Sequence, residues 1–313
     1  MVTLTPPAAF IAGDWGTSNL TLALCDEDGQ ALETRKGPGA ADARGRFALV
    51  FDELTADWLA THGPLPAVLC GMVGSAFGWR EAPYLLCPAD LYELADDTVT
   101  PRDGVRIISG MSCTNPLGAP DVLRGDEMQL FGASCVLGAM EAGKHLVCMP
   151  GTHTKWVSMN ESVVQEFLTA PTGELFAMLC EHSVLVRDKT TPIEHHPRDF
   201  ERGLAESAKN PDVPVLHRLF QSRSLRLDKQ LSPEGAASWM SGLLIGTDVK
   251  GALALFSQQD ARAPVYVIGT PQLTASYALA LLHVGRTAVQ IEGSKAALAG
   301  LGQVFREQER KKA

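Results

Sequence analysis

Hydrophobic and polar positions alternate in short runs near the start of the chain. Phe10-Ile11-Ala12 is an apolar run that closes on Gly13-Asp14, and residues 19–25 interleave leucine and alanine with polar residues. Asp26-Glu27-Asp28-Gly29 supplies a turn, and residues 30–35 continue beyond it. Short runs separated by turn residues predict three strands in a meander. Residues 46–61 instead carry Phe47, Val50, Phe51, Leu54 and Trp58 at helical spacing, which predicts a helix with one apolar face. Residues 67–71 and 105–109 predict further strands, and residues 125–137 a helix entered from a loop.

The opening pattern recurs in the second half. Residues 145–149 and 154–159 predict two strands, Asn160-Glu161-Ser162 a turn, and residues 163–168 a third strand. Gly16-Thr17 and Gly151-Thr152 each lie between the first two strands of a meander, 135 positions apart. Two Gly-Thr turns in matching places predict a duplicated architecture. Helices are then predicted over 173–182, 197–209, 213–223 and 233–256. They are followed by a strand over 265–268, a helix over 271–283, a strand over 288–291 and a last helix over 294–309. A chain of 313 residues is long enough for two domains with separate cores. The expected domains are residues 1–140 and 141–313.

Charge and composition narrow the function classes. The formal net charge of −9 argues against nucleic acid as the main partner, since phosphate backbones call for a basic surface. A few basic groups in a cleft can still hold an anionic small molecule. The seven cysteines form no CxxC pair and mostly have apolar neighbours, as buried free thiols of a reducing compartment do. The start of the chain lacks the pattern of a signal peptide, and no apolar segment is long enough to cross a bilayer. A cytoplasmic protein without a membrane partner is expected. The sequence leaves the oligomeric state open.

Three segments could carry chemistry. In Asp14-Trp15-Gly16-Thr17-Ser18-Asn19 a strand ends on a carboxylate and runs into a glycine-hydroxyl turn. Such a turn can cradle a phosphate, and Asp14 can hold Mg2+ through water; a plain hairpin reads equally well. Pro150-Gly151-Thr152-His153-Thr154 offers a second such turn with no acid in the place of Asp14. Arg124-Gly125-Asp126-Glu127 sets two acids before an apolar helix. Asp126 could cap that helix, or could act as a general base toward a substrate hydroxyl.

Together these segments resemble the sugar-kinase branch of the actin/hexokinase/Hsp70 superfamily. Residues 11–18 look like its phosphate-1 motif and residues 150–154 like phosphate-2. Gly125-Asp126-Glu127 with Leu130-Phe131-Gly132 looks like the segment bearing the catalytic aspartate. Val267-Ile268-Gly269-Thr270-Pro271 looks like a variant adenosine motif. A closer resemblance, to the 2-dehydro-3-deoxygalactonokinase family, runs through Gly71-Met72-Val73-Gly74-Ser75, residues 78–84, residues 150–157, Thr172-Gly173-Glu174-Leu175-Phe176 and residues 241–246. The chain departs from the family pattern at Ala76-Phe77, where many members carry Arg-Gln.

The resemblance implies an α/β fold of two RNase H-like, actin-like ATPase domains with a central ATP and substrate cleft. It implies ATP-dependent phosphorylation of the 6-hydroxyl of 2-dehydro-3-deoxy-D-galactonate in galactonate degradation. Asp126 would be the base and Asp14 the Mg2+ ligand. Gly16, Thr17, Ser18, Gly151, Thr152, His153, Thr154, Gly269 and Thr270 would bind ATP. Gly71, Met72, Trp79, Arg80 and Arg124 would bind the sugar acid; Arg80 and Arg124 are the candidates for its carboxylate, because a guanidinium can bind one through two parallel hydrogen bonds. Each arginine could equally form a surface ion pair. The alternatives are a kinase of another aldonate or ketose, and a nucleotide-dependent interaction protein without a substrate hydroxyl to activate.

Overall fold

The recurring meander folds as two sheets of matching strand order. The computed structural model describes residues 6–138, 140, 142–186, 195–209, 213–258, 260 and 262–312. In the first sheet, β1 (Phe10–Trp15), β2 (Asn19–Cys25) and β3 (Ala31–Pro38) form the antiparallel meander. β4 (Ala67–Gly71) then returns parallel to β1 after helix α1 (Phe47–His62). Between β4 and the rest of this sheet the chain makes β5 (Tyr84–Leu86) and helix α2 (Leu91–Asp96). β6 (Thr98–Arg102) and β7 (Val105–Ile108) complete the order β3-β2-β1-β4-β7-β6. β8 (Gly110–Thr114) and β9 (Pro120–Leu123) join β5 in a small separate sheet, ordered β5-β8-β9. The chain then enters helix α3 (Asp126–Leu137).

The second sheet repeats the plan. β10 (Lys144–Met149), β11 (Thr154–Asn160) and β12 (Val163–Ala170) are followed by β13 (Val265–Gly269) and β14 (Ala288–Glu292) in the order β12-β11-β10-β13-β14. β13 runs parallel to β10, as β4 does to β1. Its helices are α4 (Thr172–His182), α5 (Pro197–Ala208), α6 (Leu216–Leu219), α7 (Gln221–Leu227), α8 (Gly235–Leu255) and α9 (Pro271–His283). The single helix predicted over 213–223 is replaced by the two short helices α6 and α7, which meet at Phe220.

Packing divides the chain into two units that are not continuous in sequence. One comprises Met1–Lys144, Ser158–Phe167 and Glu292–Ala313; the other comprises His145–Val157 and Leu168–Ile291. The last helix, α10 (Gly293–Arg310), therefore belongs with the first sheet. It packs on α3 and β1, with Phe305 stacked on Phe10 at 4.1 Å between ring centroids and Gln308 donating to the Ala95 carbonyl at 2.9 Å. The core of the first unit gathers Ile11, Trp15, Leu20, Leu22, Phe51, Trp58 and Leu69 beneath α1. A core of the second joins Trp156 and Val267 to Phe200 of α5, Val249 of α8 and Tyr277 of α9. The cysteines whose side chains are described are all free thiols, and Cys135 falls outside that set. Among the described residues no helix is long and apolar enough to cross a membrane.

Candidate active site

Parallel strands bring their carboxyl ends together, and open α/β sheets bind ligands at that edge. In the first unit Asp14 of β1 lies in register with Cys70 of β4, and Trp15 with Gly71. Gly71 leaves the strand at φ +91°, and a Cβ there would sit 2.6 Å from the Trp15 carbonyl oxygen. Only glycine fits both demands. Gly125, at φ +96°, rests directly on it, since a Cβ on Gly125 would lie 3.1 Å from the Cα of Gly71. This contact delivers the start of α3 to the end of β4. Asp14, Asp126 and Glu127 thus gather around one thiol. Burial pushes the Cys70 thiol well up, and the charges of Asp14, Glu127 and Asp126 push it further.

The helix start separates the two readings of Asp126. Gly125 occupies the N-cap, with no side chain capping the helix, and Asp126 is the first helical residue. The capping role considered for Asp126 is therefore not filled by it. Glu127 points inward, fully buried, and neither carboxylate oxygen has a hydrogen-bond partner among the described residues. Burial raises its carboxyl to about 8; the nearby backbone N–H groups of Glu127 and Gly125 offset part of that rise. Burial also raises Asp14, to about 6, against the weak thiol hydrogen bond of Cys70 at 3.9 Å.

Around this cluster the predicted ligand residues fall into two kinds. Thr17 and Ser18 are exposed in the tight turn after β1. That turn is backed by the following loop, where Ala40 N–H donates to the Gly16 carbonyl at 2.9 Å and Ala41 N–H to that of Thr17 at 3.1 Å. Met72 lies in a single 3-10 turn after β4, and Arg80 is exposed, with no ion pair among the described residues. Trp79 packs on the core, with its ring 5.7 Å from that of Phe51. Arg124 is engaged elsewhere. It donates to the carbonyls of Ala82 at 2.7 Å and Pro83 at 3.2 Å, and its guanidinium lies 4.2 Å over the Tyr84 ring. It pins the loop that leads into β5.

In the second unit, Pro150 follows β10 and Gly269 ends the neighbouring parallel strand β13, and a Cβ on Gly269 would lie 3.4 Å from the Pro150 carbonyl oxygen. Thr270 follows as the N-cap of α9, exposed and with no capping side-chain bond. Thr152 and His153 are exposed in the turn. The start of α4 docks against that turn: a Cβ on Gly173 would lie 2.3 Å from the Gly151 carbonyl oxygen. Glu174 N–H donates to the Thr152 carbonyl at 2.9 Å, and the Glu174 carboxylate meets His153 Nε2 at 2.9 Å. Thr154 differs from the turn residues before it. It is 1% exposed, and its hydroxyl is bonded to the Tyr277 hydroxyl at 2.8 Å, which makes it a support for the turn. Sequence reasoning did not find Asp248, in the middle of α8, which accepts from Trp156, Thr172 and Tyr277. A lone acid in an apolar helix gives no sign that three distant donors converge on it.

Two sheets of the same order, each ending in a glycine-hydroxyl turn after its first strand, define an actin-like ATPase fold of the sugar-kinase kind. The family model for 2-keto-3-deoxy-galactonokinase (DGOK) matches residues 14–304. The chain is 34% identical to the probable 2-dehydro-3-deoxygalactonokinase DgoK1 of Rhizobium meliloti (strain 1021), over 97% of this chain and 98% of that protein. It is 33% identical to the 2-dehydro-3-deoxygalactonokinase of Escherichia coli (strain K12), over 95% and 97%. A crystal structure of a candidate 2-dehydro-3-deoxygalactonokinase from Sinorhizobium meliloti superposes with a TM-score of 0.85 at 34% identity, covering 95% of this chain and 98% of that one. The chain belongs to the 2-keto-3-deoxy-galactonokinase family. As a carbohydrate kinase it uses ATP as its phosphoryl donor.

Proposed function

We propose that this kinase phosphorylates the 6-hydroxyl of 2-dehydro-3-deoxy-D-galactonate in galactonate breakdown, with Mg2+, in the cytoplasm. The observation that carries the reading is the gathering of Asp14, Asp126 and Glu127 at the carboxyl ends of β1 and β4. Phosphoryl transfer asks a protein mainly for positioning and charge stabilisation. Asp126 accepts the proton of the attacking hydroxyl. Glu127 is the poorer acceptor, because it still holds its own proton at neutral pH. The turns at Gly16, Thr17 and Ser18 and at Gly151, Thr152 and His153 offer backbone N–H groups and hydroxyls to the phosphates, with Gly269 and Thr270 toward the adenosine. Asp14 fits a divalent ion. Its half-buried carboxylate has a weak thiol as hydrogen-bond donor and no ion pair among the described residues, so it lacks positive charge beside it. Asp14 would hold Mg2+ through water, and the bound ion would supply neutralising charge to the phosphates. The free thiols of the described cysteines suit a reducing compartment.

For the substrate carboxylate we take Arg80, which is exposed, rather than Arg124, whose Nη2 already serves the Ala82 and Pro83 carbonyls. Hydrogen bonds to charged groups contribute roughly 1.5–3 kcal/mol, so Arg80→Ala is expected to raise KM for the sugar acid by about 10–100-fold. KM for ATP stays near its original value. Arg124→Ala instead lowers Tm. Steady-state kinetics and a thermal melt on both variants check the assignment, and an unchanged sugar-acid KM in Arg80→Ala removes Arg80 from the site.

The function itself is tested by coupled ADP release across a panel of 2-keto-3-deoxy sugar acids, other aldonates and ketoses. The highest kcat/KM is expected on the galacto acid. A higher value on another aldonate or ketose reassigns the substrate. ADP release that no sugar acid stimulates defeats the proposal.

A further inference from the structure

The second unit places the single acid of helix α8 within its apolar stretch. Asp248 lies near the middle of α8, among Leu243, Leu244, Ile245 and Val249. Burial raises its carboxyl, and the hydrogen bonds from Tyr277, Thr172 and Trp156 offset part of that rise. A buried carboxylate is costly unless hydrogen bonds satisfy it. Here Oδ1 accepts from Trp156 Nε1 at 2.9 Å. Oδ2 accepts from the Thr172 hydroxyl at 2.7 Å and the Tyr277 hydroxyl at 2.7 Å.

Each donor leads to the same turn by a different route. Trp156 lies on β11, two residues beyond Thr154, where the turn ends. Tyr277 also bonds the Thr154 hydroxyl at 2.8 Å, and it sits on α9, the helix that begins beside Thr270. Thr172 opens α4, next to Gly173 and Glu174, which touch Gly151, Thr152 and His153 directly. The exposed turn residues thus rest on three elements, and one carboxylate holds all three.

We propose that Asp248 is the positioning residue of the ATP site in this unit: it fixes β11, α4 and α9 so that the turn at Gly151–Thr154 keeps the geometry that receives the phosphates. This rests on the reading that the turn binds ATP. Asp248 does not touch the nucleotide; it acts through Thr154 and Thr172. A network whose members share one acceptor gives non-additive effects when two of them are changed.

The test compares three variants of the full chain. Thr172→Val removes one hydroxyl at nearly constant volume. Asp248→Asn leaves one oxygen for donors that now occupy two. Gly151→Asp tests the turn itself; its Cβ has open space, the nearest atom being the His153 carbonyl oxygen at 3.8 Å, so the new charge enters without a clash. Displacements of about 1 Å in a positioning element can cost up to about 100-fold. Asp248→Asn and Thr172→Val are each expected to raise KM for ATP about tenfold, with KM for the sugar acid within about twofold, and the double variant should be no worse than Asp248→Asn. If both only lower Tm while KM for ATP stays unchanged, and Gly151→Asp does weaken ATP, Asp248 is structural and the proposal is overturned. If Gly151→Asp also leaves KM for ATP unchanged, the phosphate reading of the turn fails first and takes this proposal with it. Thr172→Val keeps the test decisive should Asp248→Asn fail to fold.

Discussion

Asp126→Asn is expected to lower kcat by about 10²–10⁴-fold, the usual worth of a general base, while leaving Tm and ATP affinity close to their original values. Two observations sharpen this expectation. Gly125 holds the N-cap position, so the substitution removes no cap. Asparagine also keeps the size and the polar character of the side chain at the first turn of α3. What it cannot do is take a proton. Steady-state kinetics alongside a thermal melt separate the two roles: lost rate with retained stability marks a base. Retention of most of kcat would move the base elsewhere, with Glu127 the next residue to change.

Glu127→Gln should stabilise the protein, by an amount that grows as the pH rises above about 4.5 and levels off above about 8. The folded state holds the Glu127 proton up to about pH 8, whereas the unfolded chain releases it near its ordinary value of 4.5. Between those values the unfolded state binds fewer protons, so stability falls as pH rises. The loss begins near pH 4.5 and is complete above about pH 8. Each tenfold difference in proton affinity between the two states is worth about 1.4 kcal/mol, so the penalty reaches roughly 2–5 kcal/mol. Glutamine has no proton to lose and escapes it. Denaturant unfolding from about pH 4 to about pH 9 is expected to show the wild type falling away from the variant across that window. Parallel curves would mean that Glu127 is ionised in the folded protein. If Glu127 works in its neutral form, the variant also retains most of its kcat at neutral pH.

Much of the framework was legible because it rests on local patterns. The first meander showed as Phe10–Trp15 and Asn19–Cys25 around a Gly-Thr turn, and the second repeated it at Lys144–Met149 and Thr154–Asn160. The acid at 126 stood next to Gly125, whose φ of +96° favours glycine, and the acid at 14 stood just before the Gly16-Thr17 turn. The small sheet was not legible. Tyr84–Leu86 is three residues long, Pro120–Leu123 begins on a proline, and Thr98–Arg102 of the large sheet contains one. Such strands form because neighbours offer them partners, and the chain's own pattern says little about that. The same holds for Asp248, whose meaning lies in Trp156, Thr172 and Tyr277. It holds also for Thr154 and Arg124, whose bonds to the Tyr277 hydroxyl and the Ala82 carbonyl join residues far apart in the chain.

The placement of α10 bears on the order in which the protein can be made. Ribosomes add about 5–20 residues per second, and amino-terminal domains commonly fold first as they emerge. Here the helix that carries Asp126 lacks its packing partner until residues 293–310 leave the exit tunnel. By then every strand of the second sheet has been synthesised. The unit that begins the chain is thus the one that must wait, with the apolar face of α3 uncovered, for the last helix to arrive.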